Sequence, residues 1–312
     1  MTIITDPLRL AVRVEPAVAE AAVRALLAAG MPARPDALAA HRARSDALYE
    51  IDDRAARDAA FGRLALAEFD DLGLVEPLGR AVAERPALAG RVRTLLIGES
   101  RGPFDEGVTC EPGGEHLGIR IDLARFAAAA DLLAWARHAM GHAEDTLDPA
   151  FGFVPGWEER TGGRTGAMPG RLHRLWDVTV DARLAAGGRL PSAPARRRHR
   201  ERIAADLAGI SPDTVDAVLE LLWDGPRPAF PVLLAWAARP AVLVATAAPK
   251  EPGLPRPDRC PLCRFPSDDV VPPEPSIAEL VVVDYPDWRP DLGLCGRCTD
   301  RYGFAGRLGG RP

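Results

Sequence analysis

The sequence predicts an α+β protein, mostly helical, with a small sheet and a small cysteine-bearing domain after it. Three observations predict this. Apolar residues recur at three- and four-residue spacing through most of 16–90 and again from about 122 to 224, the period of helices with one buried face. Two short runs, Val92–Gly98 (VRTLLIG) and Leu117–Leu123 (LGIRIDL), read as strands. Four of the five cysteines crowd into the last 53 residues, behind a proline-rich stretch.

The elements follow in order. PAVAEAAVRALLAAG, PDALAAHRARSDALYEI and AARDAAFGRLALAEFDDLG read as helices, punctuated by Gly30-Met31-Pro32 and Glu84-Arg85-Pro86. The two strand-like runs are separated by a Gly/Pro/acid-rich loop that carries Cys110. A long helix is expected from near Asp122 through FAAAADLLAWARHAMGHAEDTL, stopped at Asp148-Pro149, because proline cannot extend a helix and pushes its predecessor out of helical geometry. After a loop over about 149–170, RLHRLWDVTVDARLAAG predicts another helix ending at Gly187-Gly188. Two more are expected over 197–208 and 212–224, the second opened by Ser211-Pro212-Asp213. The apolar stretch Ala229–Ala248 is broken by Arg239-Pro240, which predicts a buried helix and a following strand rather than a membrane span. These readings divide the chain into an N-terminal helical region (1–91), a domain over 92–248 packed with it, a linker of 249–259 and a cysteine module of 260–312.

Composition sets the class. With 312 residues, a 47% hydrophobic share and a net charge of −5, the chain has enough material for about two domains and a real core. Mild acidity argues against a surface devoted to nucleic acid. Lys250 is the only lysine, and alanine is in excess, a bias expected of a GC-rich bacterial coding sequence. The start MTIITDPLRLAVRVEP lacks a signal-peptide core, so the expected compartment is the cytoplasm.

Cys260-Pro-Leu-Cys263 and Cys295-Gly-Arg-Cys298 form two CxxC knuckles separated by 31 residues. Two tight turns presenting two thiolates each supply the four soft ligands of a tetrahedral Zn²⁺ site. The expectation is a structural zinc ribbon with all four cysteines as ligands, its small core drawn from SIAELVVVDYPDW. A module of this size needs the ion for folding. The stretch between the knuckles is net acidic, which favours protein contact over nucleic acid.

His138 and His142 lie four apart on the long helix, and therefore on one face. Asp145 shares that face, and Asp177 and Asp181 stand four apart on the later helix. A His pair on one helix followed by a carboxylate helix resembles the zincin superfamily of metallopeptidases, over roughly residues 92–187. In its gluzincin branch a helix-borne HExxH is followed by a helix reading E-x-x-x-D. The resemblance implies a small sheet against the active helix. It also implies His138 and His142 as the first two zinc ligands, Asp177 as the third, and Asp181 as the carboxylate that fixes an imidazole's tautomer. Because Asp is one methylene shorter than Glu, Asp181 or Asp145 is an alternative third ligand.

The departure is at residue 139. The family's glutamate, which takes the proton from zinc-activated water, is replaced by Ala139, a natural loss or an engineered substitution. Loss of such a base costs a factor of about 10²–10⁴. Glu144, Glu158 and Glu159 are the acids near enough in sequence to replace it. The implied function is a zinc-dependent metallopeptidase-like protein, inactive as written, with a peptide or protein as substrate or partner. The alternative is a non-catalytic zinc-binding scaffold or regulator docking through its cysteine module. A third reading, a nucleic-acid-associated factor, rests on that module and the run Arg196–Arg202. Cys110, His41, His116, His173, His199, Trp135 and Trp176 are expected to be structural.

Overall fold

The computed structural model describes residues 2–5, 10–30, 36–102, 105–157, 167–207, 209–247, 259–265, 267 and 269–307. By packing, the chain divides into two units, Met1–Pro155 with Thr179–Ala195, and Gly156–Val178 with Arg196–Pro312.

The first unit holds strands β1 (Thr2–Thr5) and β2 (Leu10–Val14) and helices α1 (Pro16–Ala29), α2 (Ala37–Leu48), α3 (Arg54–Asp71), α4 (Glu76–Ala83) and α5 (Pro86–Ala89). Then come β3 (Thr94–Glu99), β4 (Gly107–Cys110), β5 (His116–Ile121) and helix α6 (Ala129–Leu147). The strands form one mixed sheet of order β1-β2-β3-β5-β4. β2, β3 and β5 run parallel, with Leu95 opposite both Val12 and Leu117. The outer strands β1 and β4 are antiparallel to their neighbours.

Alternation decides which face is buried. Leu10, Val12, Val14, Leu95, Ile97, Leu117, Ile119 and Ile121 join the core with side chains of α1, α3, α4 and α6. Arg13, Leu96 and Arg120, one step out of phase, are exposed.

Three expectations are corrected in this region. The N-terminal segment is strand, a pattern of two short runs hidden by the helix signal that follows. Cys110 ends a strand rather than standing in a loop. The long helix does not start near Asp122: Asp122 caps a 3₁₀ turn over Leu123–Ala127 by accepting from the amide of Ala124, and α6 begins at Ala129.

Helix α7 (Ala167–Ala186) contributes residues to both units. It stops at Gly188, whose φ of 67° is the left-handed cap that glycine adopts without strain. The amide of Arg189 then reaches the carbonyl of Leu184 at 2.8 Å.

Helix α8 (Ser192–Asp206) begins in the first unit and continues in the second, which also contains α9 (Pro212–Trp223), α10 (Phe230–Ala238) and α11 (Pro240–Ala247). Phe230 meets Trp157 and Trp176 edge-on, with ring centres 6.2 and 5.8 Å apart. The expected strand after Arg239-Pro240 is instead helix α11. Pro240 fits the first position of a new helix and forces Arg239 to extend, so the chain turns and resumes helix. The two helices bend by 113°, and no single helix among the described residues is long and apolar enough to cross a membrane.

The cysteine module has its own core of Cys260, Val270, Ala278, Val281, Trp288, Leu294, Cys295, Cys298 and Tyr302. Between its knuckles stands helix α12 (Pro275–Asp284), and α13 (Gly296–Arg307) grows out of the second knuckle. The one strand-like pairing described between the knuckles is the bridge Val271–Leu294. Among its described residues the module's regular structure is therefore mainly helical. Val281, Val282 and Val283 read as strand by propensity, but proline at the helix start and the Ala278/Val281 spacing place one face in the core.

Candidate metal centres

The four-cysteine centre is built by local turns. In the first knuckle the amide of Arg264 donates to the carbonyl of Cys260 at 2.8 Å, and the Cys260 amide donates to Phe265 at 3.0 Å. The turn is tight enough to hold Arg264 at φ 55°. In the second knuckle Cys298 lies in the first turn of α13, whose start is tied by the Gly296 amide donating to Asp269 Oδ2 at 3.0 Å.

The ligand sulfurs converge. Cys260 and Cys298 are 3.8 Å apart, Cys263 and Cys295 3.7 Å, and all four lie within 4.8 Å of one another. Disulfides bring sulfurs to about 2.05 Å. A tetrahedral zinc with bonds of about 2.3 Å spaces them at about 3.8 Å. The donor set therefore fits a zinc-sized soft ion. Burial opposes ionisation of the Cys260 thiol, but the backbone amides of Cys263, Cys295 and Leu262 outweigh it and bring the thiol down to about 7. Burial raises Cys295 and Cys298.

The second centre is assembled across helices. On α6, Leu132, Ala136, Met140 and Ala143 enter the core, and His138 and His142 occupy an adjoining, part-exposed stripe. Their Nε2 atoms stand 3.1 Å apart. Asp181 Oδ1 accepts a hydrogen bond from His138 Nδ1 at 2.6 Å. A carboxylate has only acceptors to offer, so this contact places the proton on Nδ1 and leaves a lone pair on Nε2. Asp177, one turn earlier on α7, completes a group of three donors within 4.8 Å. Two imidazole nitrogens on a tetrahedral zinc are about 3.3 Å apart, so the set is compatible with zinc without identifying it.

The structure distributes the acids named from the sequence. Asp145 is fully buried, and its two oxygens take a fork from Arg183, at 2.6 and 2.5 Å. Glu144 pairs with Arg85. Glu158 and Glu159 lie outside the described residues. Ala139 is buried on α6. His173 packs edge-on against Trp157, and the Arg125 guanidinium lies over Trp135. Cys110 reaches the carbonyl of Ala143, and burial pushes its thiol up to about 12. Arg196 of the basic run is paired with Asp224 at the C-terminal cap of α9, and Arg200 with Asp216 on that helix.

Two contributors had no signal in the sequence. Arg183 locks Asp145 of α6 from α7. Gly141 lets the two helices approach: a Cβ there would meet Val180 Cγ1 at 2.5 Å. No profile of a known protein family, no curated protein and no solved structure matches this chain.

Proposed function

We propose that this protein is a zinc-binding relative of metallopeptidases that holds a peptide or protein at a metal site without cleaving it. The observation that carries the reading is the pairing of two Nε2 atoms at 3.1 Å with a carboxylate fixed behind one of them. His138 and His142 serve as ligands, Asp177 is the third donor, and Asp181 positions the imidazole of His138. Zincin-type connectivity, a His helix followed by a carboxylate helix, supports the same reading. A zinc ion bound there supplies Lewis-acid polarisation of a carbonyl and acidifies water. The chain offers no carboxylate at position 139 to take the proton, and Glu144 is engaged by Arg85. The four-cysteine site takes the second ion and holds the small module together.

Burial of Ala139 favours a second reading, a non-catalytic scaffold in which the metal only fixes the two helices. Metal analysis and one variant separate the two. Zinc content should be about two per chain and fall to one in His138→Ala; an unchanged content removes the site from both readings. In Ala139→Glu, peptide hydrolysis that appears with the second zinc still bound supports peptidase descent. Retained zinc with no hydrolysis of any peptide in a broad library supports the scaffold.

A further inference from the structure

His41 was expected to be structural, yet it is the centre of a second constellation, within the first unit and outside the metal site. Its Nδ1 lies 2.7 Å from Glu68 Oε2, 27 residues away on α3. Its Nε2 faces the hydroxyl of Ser45 at 3.5 Å, one turn along α2. Glu68 is 1% exposed, and its other oxygen lies 3.0 Å from Arg44 Nη2 as an ion pair without hydrogen-bond geometry. The buried carboxylate therefore holds the Nδ1 proton and turns the Nε2 lone pair toward Ser45. All three residues line one cavity of about 150 Å³. Val23, Phe61, Leu64 and Ala65 supply apolar wall, with Tyr49 packed edge-on against Phe61 at 5.2 Å, and Glu20 adds a second carboxylate. Arg24 stands at the same cavity, largely exposed and paired with Glu20 one turn before it on α1.

We propose that Ser45, His41 and Glu68 form a nucleophilic site for esters of short acyl groups. A serine hydroxyl is a weak nucleophile until an adjacent base takes its proton, and a base oriented by a third group is the arrangement that does so. The 3.5 Å separation is long for a hydrogen bond, and proton transfer requires it to shorten when an ester binds. A cavity of about 150 Å³ is enough for a six-carbon ring, so an acyl chain of a few carbons fits it.

In the first half-reaction the Ser45 hydroxyl gives its proton to His41 Nε2. Its oxygen bonds to the acyl carbon as the ester C–O bond breaks, and the leaving alkoxide takes the proton from His41. In the second, water gives a proton to His41 and its oxygen bonds to the acyl carbon. The Ser45–acyl bond breaks, and Ser45 recovers the proton. The helix amides near Ser45 are committed to helix hydrogen bonds, so the cation at the cavity that could steady the developing oxyanion is Arg24, which would have to exchange its pairing with Glu20 to do so.

The full chain, treated with a fluorophosphonate probe and mapped by mass spectrometry, should carry the adduct on Ser45. The adduct should be lost in Ser45→Ala and reduced at least 100-fold in His41→Ala. p-Nitrophenyl acetate hydrolysis should fall in the same order. Ser45→Cys, which keeps the size of the side chain, should react with iodoacetamide faster than an isolated thiol at neutral pH and lose that advantage in His41→Ala. No adduct on Ser45 in the wild-type chain, or an adduct undiminished in His41→Ala, overturns the proposal. So does a Ser45→Cys thiol with ordinary reactivity.

Discussion

The two candidate metal centres are made in opposite ways. The four-cysteine centre takes its ligands in pairs from turns of four residues, and three of its four sulfurs are buried in the core that they hold together. The histidine centre takes a pair from one helix face and its carboxylates from another helix, and its three donors remain part-exposed. The first is a closed shell of soft ligands, the form of a structural zinc site. The second offers three donors, and a tetrahedral ion held by them would keep one position open. The lesson is that a turn can specify a metal site by itself, while a helix pair can do so only if something else fixes the helices. Here that task falls to the Asp145–Arg183 fork, the His138–Asp181 contact and the absence of a side chain at Gly141.

The contrast can be broken by substitution, beginning with the largest effect. Cys295→Ser should remove one zinc equivalent and unfold the module of 260–312, because structural zinc contributes on the order of 10 kcal/mol to such small domains. Limited proteolysis should then cut within the module while the first unit stays protected. A module that remains resistant without its zinc would place its stability in the core rather than the ion.

Asp145→Ala is the corresponding break at the other centre. Removing one partner of a buried ion pair costs about 3–5 kcal/mol, the lower end applying here because Arg183 is a third exposed. Thermal unfolding of the first unit should shift down by several degrees, and the second zinc should be lost with it. Asp181→Asn is milder: it keeps the packing and weakens the grip on His138, so affinity at the histidine centre should fall about 10–100-fold. Zinc at the cysteines should be untouched, a difference that competition with a chelator resolves. Equal losses at both centres would mean that the two are not independent.

The smallest effect is on pH dependence. Hydrogen bonds from the Arg137 guanidinium hold the Glu84 carboxyl below its ordinary 4.5, against the opposing pull of burial. A carboxyl lowered in the folded state contributes stability above its unfolded pKa and loses it as pH falls through the folded value. Glu84→Gln should therefore lower stability at neutral pH and flatten its decline below about 4.5. Urea unfolding at pH 7 and pH 4 measures both.

How much of this was legible in the sequence depended on the range of the interaction. The helices α1, α3, α6 and α7 follow from apolar spacing, and the stops at Asp148-Pro149 and Gly187-Gly188 follow from backbone chemistry. The N-terminal strands were too short to show a period. The segment after Pro240 carries Val residues that suit a strand, and its neighbours made it a helix. At the site, the His138/His142 face was readable from the helix period alone. The Ser45–His41 pair has the same spacing, but without Glu68 beside it nothing distinguished it from two polar residues.

By itself the sequence determined both knuckles and the histidine stripe, since four residues of turn or one turn of helix place those side chains together in any fold. Only the tertiary structure decided which acid joins which partner. Asp145, Asp177 and Asp181 are chemically identical, and the methylene-scale differences that send one to Arg183, one toward the metal group and one to His138 Nδ1 arise from how closely α6 and α7 pack. That distance is set by contacts across the fold, with Gly141 against Val180 among them.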